Sequence, residues 1–116
     1  MSRGFSRRER LTGSGDFQAL FQRGTRVDRP SLIVLWAEAP ARRVGFAVSR
    51  QVRGAVKRNR VRRRLREAYR AAREAAPENA AMVVIGRPRA ALTEFVGLVS
   101  ELRAAFLAIP SERASA

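Results

Sequence analysis

Ala55-Val56-Lys57-Arg58-Asn59-Arg60-Val61-Arg62-Arg63-Arg64-Leu65-Arg66-Glu67-Ala68-Tyr69 is the stretch on which the reading of this chain turns. From Lys57 to Arg66 it holds seven cations and no acid. At about 100° per residue, Val61, Leu65, Ala68, Tyr69 and Ala72 fall within an arc of roughly 100°, the apolar face of a helix. Asn59, Arg62, Arg63, Arg66, Arg70 and Arg73 gather on the opposite side, with Arg60 and Arg64 on a flank. The spacing predicts a long helix from Ala55 to Ala75, packed by a small apolar face and basic over the rest.

Charge is concentrated around that helix. Ala39 to Arg66 carry eleven Arg/Lys and no Asp or Glu, so most of the net charge of +14 lies there. Such a surface repels itself unless it meets a dense array of negative charge, and a nucleic acid backbone is the commonest such array. One lysine stands against twenty-three arginines. GC-rich coding explains that bias as well as selection for guanidinium does. In either case arginine grips phosphate with a flat fork of donors and stacks on bases.

Length and composition set the frame. A chain of 116 residues is one domain by size, and 46% hydrophobic content is ordinary for a globular fold. Cysteine is absent, which suits a reducing cytoplasm. No apolar run approaches the roughly 20 residues needed to cross a bilayer. Met1 to Phe5 is basic without an apolar segment behind it, so it does not read as a secretory signal. The expectation is a cytoplasmic protein with no membrane partner.

Working outward from the helix, residues 1–13 read as a basic arm, 14–110 as one RNA-binding domain and 111–116 as a polar tail. Ser14 is placed to cap a short helix in which Phe17, Leu20 and Phe21 form one stripe and Gly24 gives the stop. Thr25 to Pro30 is a connector, extended around Arg26 and Val27. Ser31 to Ala37 and Arg43 to Ser49 read as strands, joined as a hairpin through Ala39-Pro40-Ala41. Ala81 to Gly86 is a further buried strand, broken by Arg87-Pro88-Arg89. A last helix carries Leu92, Phe95, Val96, Val99, Leu102 and Phe106 at helical spacing. The order is that of an α+β fold, a sheet with helices packed on it.

Catalysis by side chains has little to work with. The chain has no His and no Cys, which removes the usual general base and the thiol nucleophile. Its ten acids are scattered, without the close carboxylates a two-metal nuclease requires. The basic helix has three readings: a solvated face with Glu67 paired to Arg64 or Arg70 and Glu74 to Arg70, a membrane-surface helix, or a polyphosphate-binding face. The acids are too few for the first, and the apolar face is too small for the second. The third stands. RNA fits better than duplex DNA, because the helix lies on a sheet and Phe17, Phe21, Trp36 and Phe46 offer rings for unpaired bases. Each of those rings also fits a core position.

The window Ala55 to Glu67 resembles the signature of the bacterial ribonuclease P protein subunit: an Ala-Val pair, one residue, Arg-Asn-Arg, one residue, then a basic pair. Asp16-Phe17-Gln18 with Phe21 and Gly24 is similar to that family's first helix. Arg43 to Arg50 is similar to the strand before its basic helix, and Ala81 to Pro88 to its last strand. The likeness runs from Arg10 to Leu107. Two positions depart from the pattern: Arg53-Gly54 stands where Gly-Asn is common, and Leu35 and Trp36 stand where an aromatic is often found.

The resemblance implies an α-β sandwich of order αβββαβα, with a left-handed crossover carrying the basic helix. It also implies that the protein is a subunit of an endoribonuclease whose catalyst is RNA. That RNA removes the 5′ leader of precursor tRNA with Mg²⁺, which the RNA mainly holds. The implied partners are the catalytic RNA and precursor tRNA, with no obligate protein partner. Lys57, Arg58, Asn59, Arg60, Arg62, Arg63, Arg64, Arg66 and Arg70 become RNA contacts. Phe17, Phe21, Leu35, Trp36, Phe46 and Arg50 become the leader cleft, and no side chain is catalytic. The alternatives are a ribosomal or assembly protein that binds structured RNA without processing it, and a protein-only nuclease.

Overall fold

A computed structural model describes Arg10 and residues 14–110, with side chains from Phe17 onward in the first helix. The basic arm apart from Arg10, the polar tail and the Ser14 capping side chain lie outside the described residues. The elements are α1 (Ser14–Arg23), β1 (Thr25–Asp28), β2 (Leu32–Glu38), β3 (Arg43–Val48), α2 (Ala55–Ala72), β4 (Ala80–Gly86) and α3 (Phe95–Leu107). Short 3₁₀ turns follow α2 at Arg73–Ala75 and β4 at Pro88–Ala91. The expected order holds, and the connector before β2 is itself an edge strand.

The sheet runs β1-β2-β4-β3, with β1–β2 and β2–β4 antiparallel and β3–β4 parallel. This corrects the expected hairpin, because β2 and β3 are not partners. β4 lies between them, with Trp36 opposite Met82 on one side and Val44 opposite Met82 on the other. The physical reason is burial on both faces. Met82, Val83 and Val84 are all inaccessible, and a strand apolar on successive positions belongs in the middle of a sheet. Alternating β3 tolerates an edge, and Arg10 bridges to Val44 along it.

Two cores flank the sheet. On one face Leu32, Val34, Val44, Val48, Met82 and Val84 meet α2 through Val61, Leu65, Ala68, Tyr69 and Ala72. These five are the residues the sequence places on the apolar arc. α3 completes that layer with Leu98, Leu102, Ala105 and Phe106. Tyr69 stands between two rings, edge-on to Phe46 at 5.9 Å and to Phe106 at 6.0 Å. The expected α3 face is corrected here. Leu92, Phe95 and Val96 are exposed, and Leu98 and Ala105 take buried positions beside Leu102 and Phe106. This segment is apolar on all sides, so spacing alone does not fix its phase.

On the other face, smaller and less covered, α1 lays Leu20 against Val83, with Phe17, Ala37, Ala47, Ala81 and Ile85 half-buried around them. A polar tie holds the β1–β2 corner to α3. The Ser31 backbone N–H donates to Glu101 Oε1 at 2.7 Å and its hydroxyl to Oε2 at 2.9 Å. Thr93 Oγ1 lies 2.6 Å from the same hydroxyl.

α2 comes closest to the sheet at Gly86, where a Cβ would stand 2.5 Å from Val61 Cγ1 and 3.1 Å from Leu65 Cδ1. Gly86→Ala therefore forces the helix off the sheet, and we expect a loss of about 1–3 kcal/mol in chemical denaturation. Leu65→Ala, which empties the same contact from the other side, is expected to cost about 2–5 kcal/mol.

Candidate nucleic-acid interface

Because the apolar arc of α2 is pinned to the sheet, most of its charged residues face away from it. Lys57, Asn59, Arg60, Arg63, Arg66 and Arg70 are placed along the outer side of the helix, with the five cations among them exposed. Arg62 is half-buried and donates from Nη1 to Asn59 Oδ1 at 3.2 Å. Among the described residues, Lys57, Arg60, Arg63, Arg66 and Arg70 have no acidic partner. Ion pairs form elsewhere, at Arg26–Asp28, Arg87–Asp28 and Arg103–Glu74. The expected pairs of Glu67 with Arg64 or Arg70, and of Glu74 with Arg70, do not form. Glu74 sits in the 3₁₀ turn after α2, which turns it towards α3 and Arg103.

Two arginines of the window point elsewhere. Arg58 donates from Nη1 to the carbonyls of Ser49 and Val52 at 2.8 and 2.9 Å, and from Nη2 to that of Val48 at 3.1 Å. Arg64 donates from Nε to the Ala90 carbonyl at 3.1 Å, and from Nη2 to that of Thr93. Both are expected RNA contacts, and in the folded chain both also bond main chain, Arg58 through three donors and Arg64 through two. Sequence spacing shows that a side chain leaves the outer arc but not what it reaches.

The end of the sheet from which α2 departs is also basic. The register aligns Asp28 with Ile33, Leu32 with Gly86, and Gly86 with Val48. Arg29, Arg87 and Arg50 therefore follow strand ends along a single rim, where neighbouring strands are about 4.8 Å apart. Arg50 and Arg53 are exposed on the loop into α2. Asp28 accepts from both Arg26 and Arg87, at 2.9 and 2.7 Å, so one acid is shared by two cations and the corner stays positive. Sequence reasoning singles out Arg50 and misses Arg29, Arg53 and Arg87. Their signal is position: each follows a strand at the end where α2 begins.

The six cleft residues divide between the two faces. Phe17 packs on the α1 face, and Phe21, one turn along, is 53% exposed. Leu35 lies on that face too, 3.4 Å from where a Cβ on Gly24 would be. Trp36 and Phe46 do not join them. They share the alternation of Leu32, Val34, Val44 and Val48, and both pack against the α2 core. Arg50 stands at the rim.

Among the described residues no group of three or more His, Cys, Asp or Glu side chains is placed to hold a metal ion. No helix there is long and apolar enough to cross a membrane. Guanidinium groups without acidic partners among the described residues, a basic rim and a lightly covered sheet face define a class: an α+β protein with one strongly cationic side.

Similarity to known proteins narrows that class. A family model for ribonuclease P matches residues 5–109. A ribonuclease P protein component from Acidothermus cellulolyticus is 40% identical over 98 residues, covering 81% of this chain and 82% of that one. One from Thermobifida fusca is 34% identical, with 93% of this chain and 80% of that one covered. The RNase P protein from Thermotoga maritima superposes with a TM-score of 0.77 at 26% identity, over 88% of this chain and 98% of that one. The chain belongs to the ribonuclease P protein family.

One electrostatic consequence is measurable away from the interface. Arg103 Nε donates to Glu74 Oε2 at 2.7 Å, and this bond is the main cause holding the Glu74 carboxyl below its ordinary range. The contribution is present at neutral pH and is lost as pH falls through the lowered value. Both side chains are largely solvated, so it is a small one. Arg103→Ala should return the titration of Glu74, followed by NMR, to the usual carboxylate range.

Proposed function

We propose that this chain is the protein subunit that ribonuclease P uses to bind its catalytic RNA and the 5′ leader of precursor tRNA. The observation that carries the reading is the row Lys57, Arg60, Arg63, Arg66 and Arg70: exposed, close together and without acidic partners among the described residues. Like charges one turn apart destabilise a helix. Phosphates set between them turn that repulsion into charge-assisted hydrogen bonds and release counterions.

The work of the protein is then binding and positioning. The outer face of α2 holds RNA backbone, while Arg50, Arg53 and Arg87 draw a second strand towards the sheet end. Phe17, Phe21 and Leu35 offer apolar surface to unpaired leader bases on the α1 face. Cleavage and the Mg²⁺ it needs belong to the RNA, and no step passes through a metal held by this chain. Fixing two RNA strands side by side converts an encounter into a positioned approach. Neutralising their phosphates lowers the Mg²⁺ needed to keep them together. Six to ten phosphate contacts cost about three to five powers of ten in affinity between roughly 50 and 200 mM salt.

Reconstitution tests the proposal. With a catalytic RNA of the enzyme at low Mg²⁺, the protein is expected to restore leader removal, and alone it should leave precursor tRNA intact. Cleavage by the protein alone would sink the reading, as would binding without any effect on processing. Arg63→Ala with Arg66→Ala should lower the slope of log affinity against log salt by about two, with the fold unchanged by circular dichroism.

A further inference from the structure

We infer that Arg58, the first arginine of the Arg-Asn-Arg triplet, is a positioning residue and not a phosphate contact. The inference rests on the RNA-binding reading of α2. The guanidinium donates to the carbonyls of Val48, Ser49 and Val52, at 2.8 to 3.1 Å, which commits most of its fork. Those carbonyls belong to the last residue of β3 and to the loop after it. Arg58 itself stands in the first turn of α2, where its backbone N–H donates to Gly54 O at 3.0 Å. One residue thus ties the start of the helix to the end of the strand it comes from.

The segment so closed has little else to fix it. Gly54, at the N-cap, takes φ 91°, a left-handed conformation that glycine adopts freely, and no side chain caps the helix. The turn that holds it is made by the Val52 N–H donating to Ser49 O and the Gln51 N–H donating to Ser49 Oγ. Val52, 2% exposed, anchors it in the core. Between these anchors Arg50 and Arg53 stand in solvent. Arg58 therefore sets the angle at which α2 leaves the sheet and the place of the two loop arginines, and through them the line along which phosphates are met.

A planar fork reaching three fixed carbonyls is a task lysine cannot take over, since an ammonium offers one nitrogen where the arginine uses two. The test compares Arg58→Ala, Arg58→Lys and Arg63→Ala as full chains, with the catalytic RNA of the enzyme as probe. Affinity is measured across a salt series, and amide exchange in the free proteins. Arg58→Ala and Arg58→Lys are both expected to bind about tenfold more weakly with the wild-type salt slope. Their exchange should quicken at Val52 to Lys57. Arg63→Ala should lose about one unit of slope with exchange unchanged there. A slope in Arg58→Ala reduced as in Arg63→Ala overturns the inference, as does full recovery in Arg58→Lys. Wild-type binding in Arg63→Ala with weaker binding in Arg58→Ala counts instead against the outer face of α2 as the RNA surface.

Discussion

The contact of Val61 and Leu65 with the bare backbone of Gly86 is the constraint on which the rest of the molecule depends. Without a side chain at Gly86, the two apolar residues settle directly on the end of β4. The helix then lies flat, buries its full arc and leaves Lys57, Arg60, Arg63, Arg66 and Arg70 on its exposed side. A helix held a little higher would still be a helix. It would lose the tight seat that fixes the spacing of its outer side chains against the sheet.

Arginine serves two purposes on this one helix. Arg63, Arg66 and Arg70 stay outward, without an acidic partner among the described residues, and their like charges repel one another. Arg58 and Arg64 turn aside and bond main chain, the first in the loop before the helix and the second beyond β4. The same residue type stands in one place as an exposed cation and in another as a tie to main chain. The distinction lies in what is within reach of each fork, and five donors on a long stem make reach decisive.

Much of this is legible in the sequence. The buried arc of α2 can be read residue for residue, because a strongly charged helix leaves only one apolar stripe to choose. The last helix misleads for the opposite reason: with Leu92, Phe95, Val96, Leu98 and Val99 nearly continuous, more than one phase satisfies the spacing, and packing beside α2 selects Leu98. A β2–β3 hairpin follows from adjacency alone, whereas β4, with the greater need of burial on both faces, decides the pairing. Trp36 and Phe46 fall on the wrong side for the cleft for a related reason, since strand alternation assigns a residue to a face without naming which helix covers it. Arg58 and Arg64 carry no sequence mark that separates them from their neighbours.

The placement of β4 also orders events in time. Its partners on either side, β2 and β3, are made first but have no pairing to each other, so the sheet cannot close until residues 80–86 arrive. By then the whole of α2 has been synthesised without its seat on Gly86. Parallel closure of β3 on β4 spans the helix and its flanking turns, a long loop whose entropy is lost before any strand pairing compensates it. During that interval the most cationic segment of the chain is unanchored while it emerges among ribosomal RNA. The nascent protein must therefore win its own tertiary structure in competition with nearby polyanions.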